Sequence, residues 1–234
     1  MDTKMTTSIR DGAGYPVKQG MYDPAEEHDA CGFGFIANIY NKPSHEIVEQ
    51  ALQIVQNLDH RGAIGADPLA GDGAGLLIQH PDKFHRKVFG AKGIELPELG
   101  DYAVGMIFLP QDEKRRAKCV AAFNRVTAIE GQLVLGWRDV PCDNSVLGET
   151  VKPNEPVIRQ ILIGRGPETP DEETFQRKLY VIRKQAHHAI WDYDQKAWQD
   201  FYVPSLSTRT IIYKGMALAP NLAKYYVDFQ DQDF

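Results

Sequence analysis

The stretch Asp29-Ala30-Cys31-Gly32-Phe33-Gly34-Phe35-Ile36-Ala37-Asn38-Ile39 marks a change of texture in the chain. Before it, Met1 to Ala30 is polar and has no period. After Cys31, the apolar residues Phe33, Phe35, Ala37 and Ile39 take alternate positions, the spacing that places side chains on one face of a β-strand. Gly32 and Gly34 leave the backbone open to close approach. Cys31 thus opens the first regular element expected. On spacing alone two readings stand, a packed and inert thiol or a nucleophile. A cut between Ala30 and Cys31 would favour the second. The freed α-amine, with a pKa of about 7.7–8, would share its residue with the thiol. An amine poised near neutrality can take the thiol proton, so one residue would supply both nucleophile and base.

Downstream, Pro43-Ser44 punctuates, and Ser44 is placed to cap a helix with the stripe Ile47, Val48, Ala51, Leu52, Val55 and Leu58. The glycine loop Gly71-Asp72-Gly73-Ala74-Gly75 runs into a strand at Leu76-Leu77-Ile78. Tyr102 to Leu109 is nearly all apolar and ends at Pro110, as a buried strand does. Residues 112 to 130 read as a helix with Phe123 and Val126 inward. Leu133 to Trp137 and Val157 to Ile163 read as strands. Thr169-Pro170-Asp171-Glu172 predicts a helix start, with Thr169 as cap and Glu172 closing a capping box. Phe175, Leu179, Ile182, Ala186 and Ile190 then trace its inner face. Short strands at Phe201 to Val203 and Ile211 to Tyr213 precede an amphipathic piece at Leu222 to Tyr226. Strands and sizeable helices without strict βαβ alternation favour an α+β fold.

Composition excludes several classes of function. Hydrophobic residues make up 43% of the 234 and charged residues 25%, ordinary values for a chain with a core. The net charge of -6 is spread along the chain, with no Lys/Arg cluster to displace counterions from a phosphate backbone, so nucleic acid is not an expected partner. No apolar run reaches the ~20 residues of a membrane span. The first thirty residues lack the apolar core of a secretory signal and carry too many acids for a transit peptide. Three cysteines, Cys31, Cys119 and Cys142, form neither a disulfide framework nor a CxxC pair. A reducing, cytoplasmic setting fits.

Three other features invite a function and are read blandly. Gly71, Gly73 and Gly75 resemble a nucleotide fingerprint, but such a loop must follow a strand and open a helix, and here a strand follows. A tight turn or close backbone packing is expected instead. His187 and His188 are helical neighbours about 100° apart and cannot chelate one metal together. Cys119 and Cys142 are expected to be buried, inert thiols.

The run Asp29 to Ala37 resembles the processing site and first strand of glutamate synthase large subunits. The resemblance continues through His60-Arg61-Gly62-Ala63, Ala66-Asp67 and Gly71 to Leu77. It extends to Tyr102-Ala103-Val104-Gly105-Met106, Leu135 to Pro141, Phe201 to Ser207 and Tyr213-Lys214-Gly215-Met216. The ordered series covers the chain from Met21 onward and is specific as a set. It implies an Ntn-hydrolase fold, a four-layer αββα sandwich, over residues 31–234, with residues 1–30 a propeptide removed to expose Cys31. It also implies glutamine hydrolysis through a γ-glutamyl thioester on Cys31, with Gly32 and Arg61 supporting the site. For Arg61 a structural role bracing the loop after the helix stays open. The ammonia would pass to a synthase site using 2-oxoglutarate, FMN and an iron–sulfur cluster in downstream domains, with none of these cofactors in this chain. The implied partners are glutamine, the rest of the large subunit, and a small subunit or ferredoxin.

One departure is large. The family's carboxylate-binding arginine, the Asn-Gly pair of its oxyanion hole and a binding aspartate belong after the Tyr-Lys-Gly region, and no Asn-Gly occurs in this sequence. The expected fold is therefore C-terminally incomplete, and residues 1–234 alone should have little glutaminase activity. Two alternatives follow, a fragment with only a structural or binding role, and a different Ntn amide hydrolase.

Overall fold

The apolar run Tyr102–Leu109 becomes strand β2, and every residue in it except Phe108 is buried. A computed structural model describes residues 17–24, 32–59 and 67–234, apart from the side chains of Tyr193 and Gln195. β2 lies between two antiparallel partners, β4 (Val157–Gly164) and β5 (Tyr202–Ser207). β3 (Leu133–Asp139) flanks β4, giving the order β3-β4-β2-β5. A second, two-stranded antiparallel sheet joins β1 (Ala74–Gln79) to β6 (Thr210–Gly215), with Leu76 opposite Tyr213 and Ile78 opposite Ile211.

The period of two along β2 divides the core. Ala103, Ile107 and Leu109 join Phe123, Phe175, Leu179 and Ile182, so this face meets helices α3 (Glu113–Ile129) and α4 (Glu172–Tyr193). Tyr102, Val104 and Met106 join Ile211 and Tyr213 of the second sheet, Phe84 and Phe89 of α2 (Asp82–Gly90), and Phe229 and Phe234. Val48 and Leu52 of α1 (His45–Asn57) enter the same cluster. Each such side chain, fully buried, contributes about 1.5–3 kcal/mol of transfer free energy. Gly105 is required at the centre of β2, because a Cβ there would sit 2.8 Å from both Ile161 and Leu206 on the flanking strands. Two short α-helices, α5 (Gln195–Gln199) and α6 (Leu222–Tyr225), follow α4 and β6 in turn.

The chain divides into two units, Met1–Gly32 and Phe33–Phe234. In the first, Gln19 and Tyr22 form a bridge around Gly20 (φ +58°), and Lys18 pairs with Asp23. Among the described residues no helix is long and apolar enough to cross a membrane.

The α+β class agrees with the sequence reading, and so do the inner stripe of α4 and the strands at 74–79, 102–109, 133–139 and 157–164. Three readings are corrected. The alternating stretch from Phe33 to Ile39 is not a strand. Residues 32–38 have no assigned ladder, and Phe33, Phe35 and Ile39 are 88%, 86% and 87% exposed. Alternation makes a strand only where a partner edge is offered, and here Gly34 lies instead against Ile54 of α1. The start of α4 lies two residues later than expected. Asp171, not Thr169, is the cap and accepts from Thr174 N at 2.7 Å. Thr169 is buried and accepts from Gln132, while Glu172 turns to Thr208 and Arg209. Ser44 holds the cap position of α1 without a side-chain bond. The sequence reading missed α2 because its inward face includes His85, which a hydropathy pattern counts as polar.

Candidate active site

Cys31 and Arg61, the two side chains expected to work in the site, lie outside the described residues. Gly32, the residue after Cys31, is described and exposed. The described elements bracket the rest. α1 ends at Asn57, shortly before His60-Arg61-Gly62, and the described residues continue from Asp67.

At Asp67 the chain is clamped. Its carboxylate accepts from Leu69 N at 3.1 Å, Thr150 N at 3.0 Å and Thr150 Oγ1 at 2.7 Å. The Thr150 amide, then the Thr150 hydroxyl, hold the carboxyl below its usual range. The glycine loop follows directly. Gly73 adopts φ +110°, and a Cβ there would stand 3.1 Å from Gly215 O. Gly71 and Gly75 pack as closely on Leu218 and Lys214. A strand follows the loop, so these glycines serve backbone packing, as the sequence suggests, and offer no helix N-terminus to a phosphate.

The other two thiols are unsuited to attack. Burial raises Cys119 to about 11, with Asp194 and Asp200 adding to the effect. Burial likewise raises Cys142 to about 12. At neutral pH both stay protonated, and the thiolate is the nucleophile. His187 packs on Trp198, whose Nε1 donates to His187 Nδ1 at 2.9 Å, while His188 is exposed. Among the described residues no group of three or more His, Cys, Asp or Glu is arranged to hold a metal.

Two buried polar networks escaped the sequence reading. In the first, Arg138 on β3 donates to Asp228 and, at 2.9 Å, to Gln160. Tyr213 donates to Asp228 and accepts from Gln160, both at 2.8 Å. In the second, Tyr102 donates to Asp82 at 2.6 Å. Its hydroxyl lies 3.0 Å from His80 Nε2, which lies 3.0 Å from His85 Nδ1. Burial holds His80 down at about 4 and His85 well below its ordinary value, so both rings are neutral near pH 7. The first network ties residues up to 90 positions apart, the second joins His80, Asp82 and His85 to Tyr102 across at most 22, and no local motif signals either. Asp67 stood within a family-like motif, but its partner Thr150 is 83 residues away.

Comparison with known proteins places these features in a family. The family model described as glutamine amidotransferases class-II matches residues 31–234. The NADPH glutamate synthase large chain of Bacillus subtilis is 46% identical over 94% of this chain and 14% of its own length. The NADH glutamate synthase of Schizosaccharomyces pombe is 39% identical over 94% of this chain and 10% of its own. Ferredoxin-dependent glutamate synthase 2 of Synechocystis is 40% identical over 89% and 13%. The chain thus spans between a tenth and a seventh of the length of these relatives.

Proposed function

The chain belongs to the class II glutamine amidotransferases, and from that premise we propose that it is the glutaminase part of a glutamate synthase, with Cys31 as nucleophile. The observation that carries this reading is the start of the family match at residue 31, the cysteine, with the thirty residues before it outside that family model. The poor suitability of Cys119 and Cys142 supports it from the opposite side.

In this reading residues 1–30 are a propeptide and 31–234 belong to the amidotransferase domain. Removal of Ala30 leaves the Cys31 α-amine, with a pKa of about 7.7–8, to accept the thiol proton. The thiolate adds to the side-chain amide carbon of glutamine. Collapse of the adduct breaks the C–N bond, the amine returns the proton to the departing nitrogen, and ammonia leaves. Water then hydrolyses the γ-glutamyl thioester to glutamate and restores the thiol. Gly32 lends open backbone beside the reacting carbon, and Arg61 helps shape the glutamine site.

The packing supports the finer fold reading as well. Helices α3 and α4 cover one face of the four-stranded sheet, and the β1–β6 sheet lies toward the other, a partial αββα arrangement. The ammonia would serve glutamate synthesis from 2-oxoglutarate in the remainder of a large subunit, with a small subunit or ferredoxin as electron source, in the cytoplasm. FMN and the iron–sulfur cluster are assigned to those other domains. The described cysteines, one buried and one half-buried, are not grouped as cluster ligands.

The test is covalent trapping. A reactive glutamine analogue given to the intact gene product should label Cys31 and block glutamine-dependent glutamate formation, while free ammonia still supports it. Labelling of Cys119 or Cys142 instead, or a block that ammonia cannot bypass, would refute the assignment.

A further inference from the structure

We infer that the outer face of helices α3 and α4 is a docking surface for a separate protein with a carboxylate-rich face, whatever reaction the chain performs. Charge is sorted between this layer and the rest of the molecule. Residues 114–129 and 174–191 hold nine of the 26 Lys and Arg and none of the 32 Asp and Glu. These cations are scattered in sequence, and the fold gathers them. Arg115 near the start of α3 pairs with Asp194 just past the end of α4, and Glu130 after α3 accepts from Lys178 and Gln185. The two helices therefore run antiparallel, side by side. Their inner residues fill the core with Phe123, Phe175 and Ile182, and the cations lie outside it. Some are already engaged. Arg115, Arg177 and Lys178 have carboxylate partners, and Arg116 donates to the carbonyls of Pro110 and Gln111. Arg125, Arg183 and Lys184 have no ion-pair partner among the described residues, and Arg125 and Lys184 are exposed.

Apolar side chains stand on the same two helices. Ile129, Tyr180 and Trp191 are 65%, 61% and 40% exposed. Along α4, Tyr180, Lys184, His188 and Trp191 recur every three or four residues and so form one stripe. Lys184 Nζ lies 5.7 Å from the Tyr180 ring centroid, and Trp191 is held edge to face on Trp198 with centroids 4.4 Å apart. Pre-ordered aromatic anchors ringed by Arg and Lys are what protein interfaces use. The charge names the occupant. A two-fold contact sets one patch against itself, so a second copy would oppose cation to cation. Proteins that hold nucleic acid through charge neutralise about 6–10 phosphates, and too few of these cations are uncommitted. Unpaired surface charge steers a partner that arrives by diffusion, an advantage that a segment of the same chain, already tethered, does not need.

The experiment places the photo-reactive residue p-benzoylphenylalanine at position 129 or 188 of the intact gene product, in the cells that make it, and maps the cross-linked peptide. One separate protein should be joined from both positions, through a peptide flanked by Asp and Glu. Arg125→Glu with Lys184→Glu should lower the yield about tenfold, since like charges now face each other. Tm should stay at the wild-type value, because both side chains lie outside the core. With the purified pair, raising salt from ~50 to ~300 mM should lower the yield of the otherwise unaltered protein as well, a readout that needs no charge variant. An adduct to the same chain, to a second copy or to nucleic acid would overturn the proposal. So would no adduct from either position, or one whose yield ignores both salt and charge reversal. None of these outcomes bears on the glutaminase reading, which the trapping of Cys31 tests separately.

Discussion

At the scale of single residues, the two described cysteines sit where a thiol stays protonated. Cys119 is 1% exposed and Cys142 half-buried, and desolvation keeps both thiols protonated. Cys31→Ala should lower glutamine-dependent turnover about 10⁴-fold or more, as loss of a nucleophile does. Cys119→Ala and Cys142→Ala should keep it within about threefold, because neither thiol reaches the chemistry. Steady-state assays of the intact gene product decide this, with ammonia as donor to confirm that each variant is folded. The buried His80–His85 pair makes a second prediction. Both groups have folded pKa values below the unfolded value of about 6.5, so the unfolded chain binds their protons first. Their contribution is present above pH 6.5 and is lost as pH falls from there toward about 4, the His80 value. Unfolding free energy should drop in that window by up to about 1.4 kcal/mol per pH unit for each histidine. Denaturant titrations of wild type and of His85→Leu should show a shallower slope in the variant; equal slopes would contradict the assignment.

At the scale of elements, legibility in the sequence followed the locality of the cause. The inner face of α4 and the buried strand β2 were readable because burial there obeys helical and strand periods set by neighbouring residues. The stretch from Phe33 to Ile39 carried an equally clear period and formed no strand, because pairing depends on an edge the stretch does not contain. Asp171 displaced Thr169 as the cap of α4 because Thr169 is engaged by Gln132, from a different turn of the chain. Of the candidate site, the motifs were visible and the ties between them were not. Thr150 could not be matched to Asp67, nor Asp228 to Arg138, without the fold. The latter pair joins β3 to the turn at Val227–Gln230, where Arg138 and Asp228 are 7% and 2% exposed. Asp228→Ala should therefore cost about 3–5 kcal/mol, since it strands a buried guanidinium. Replacing both partners, as Arg138→Met with Asp228→Leu, should cost less than the single change. Thermal unfolding of the three proteins measures the difference, and a double variant at least as destabilised as Asp228→Ala would contradict it.

At the scale of the molecule, apolar surface is unevenly covered. Phe33, Phe35, Ile39 and Leu77 are exposed, and the β1–β6 sheet pairs with no third strand among the described residues. Exposed apolar groups beside open strand edges favour association. Residues 31–234 produced alone should aggregate or associate, as light scattering would show, and a stable monomer would count against that picture. The account as a whole depends on a peptide bond that must be absent from the working enzyme, the one joining Ala30 to Cys31. Mass determination of the N-terminal peptide of the active, folded gene product addresses it directly. The account predicts a chain that begins at Cys31 with a free α-amine. An active enzyme in which Ala30 remains joined to Cys31 would contradict it.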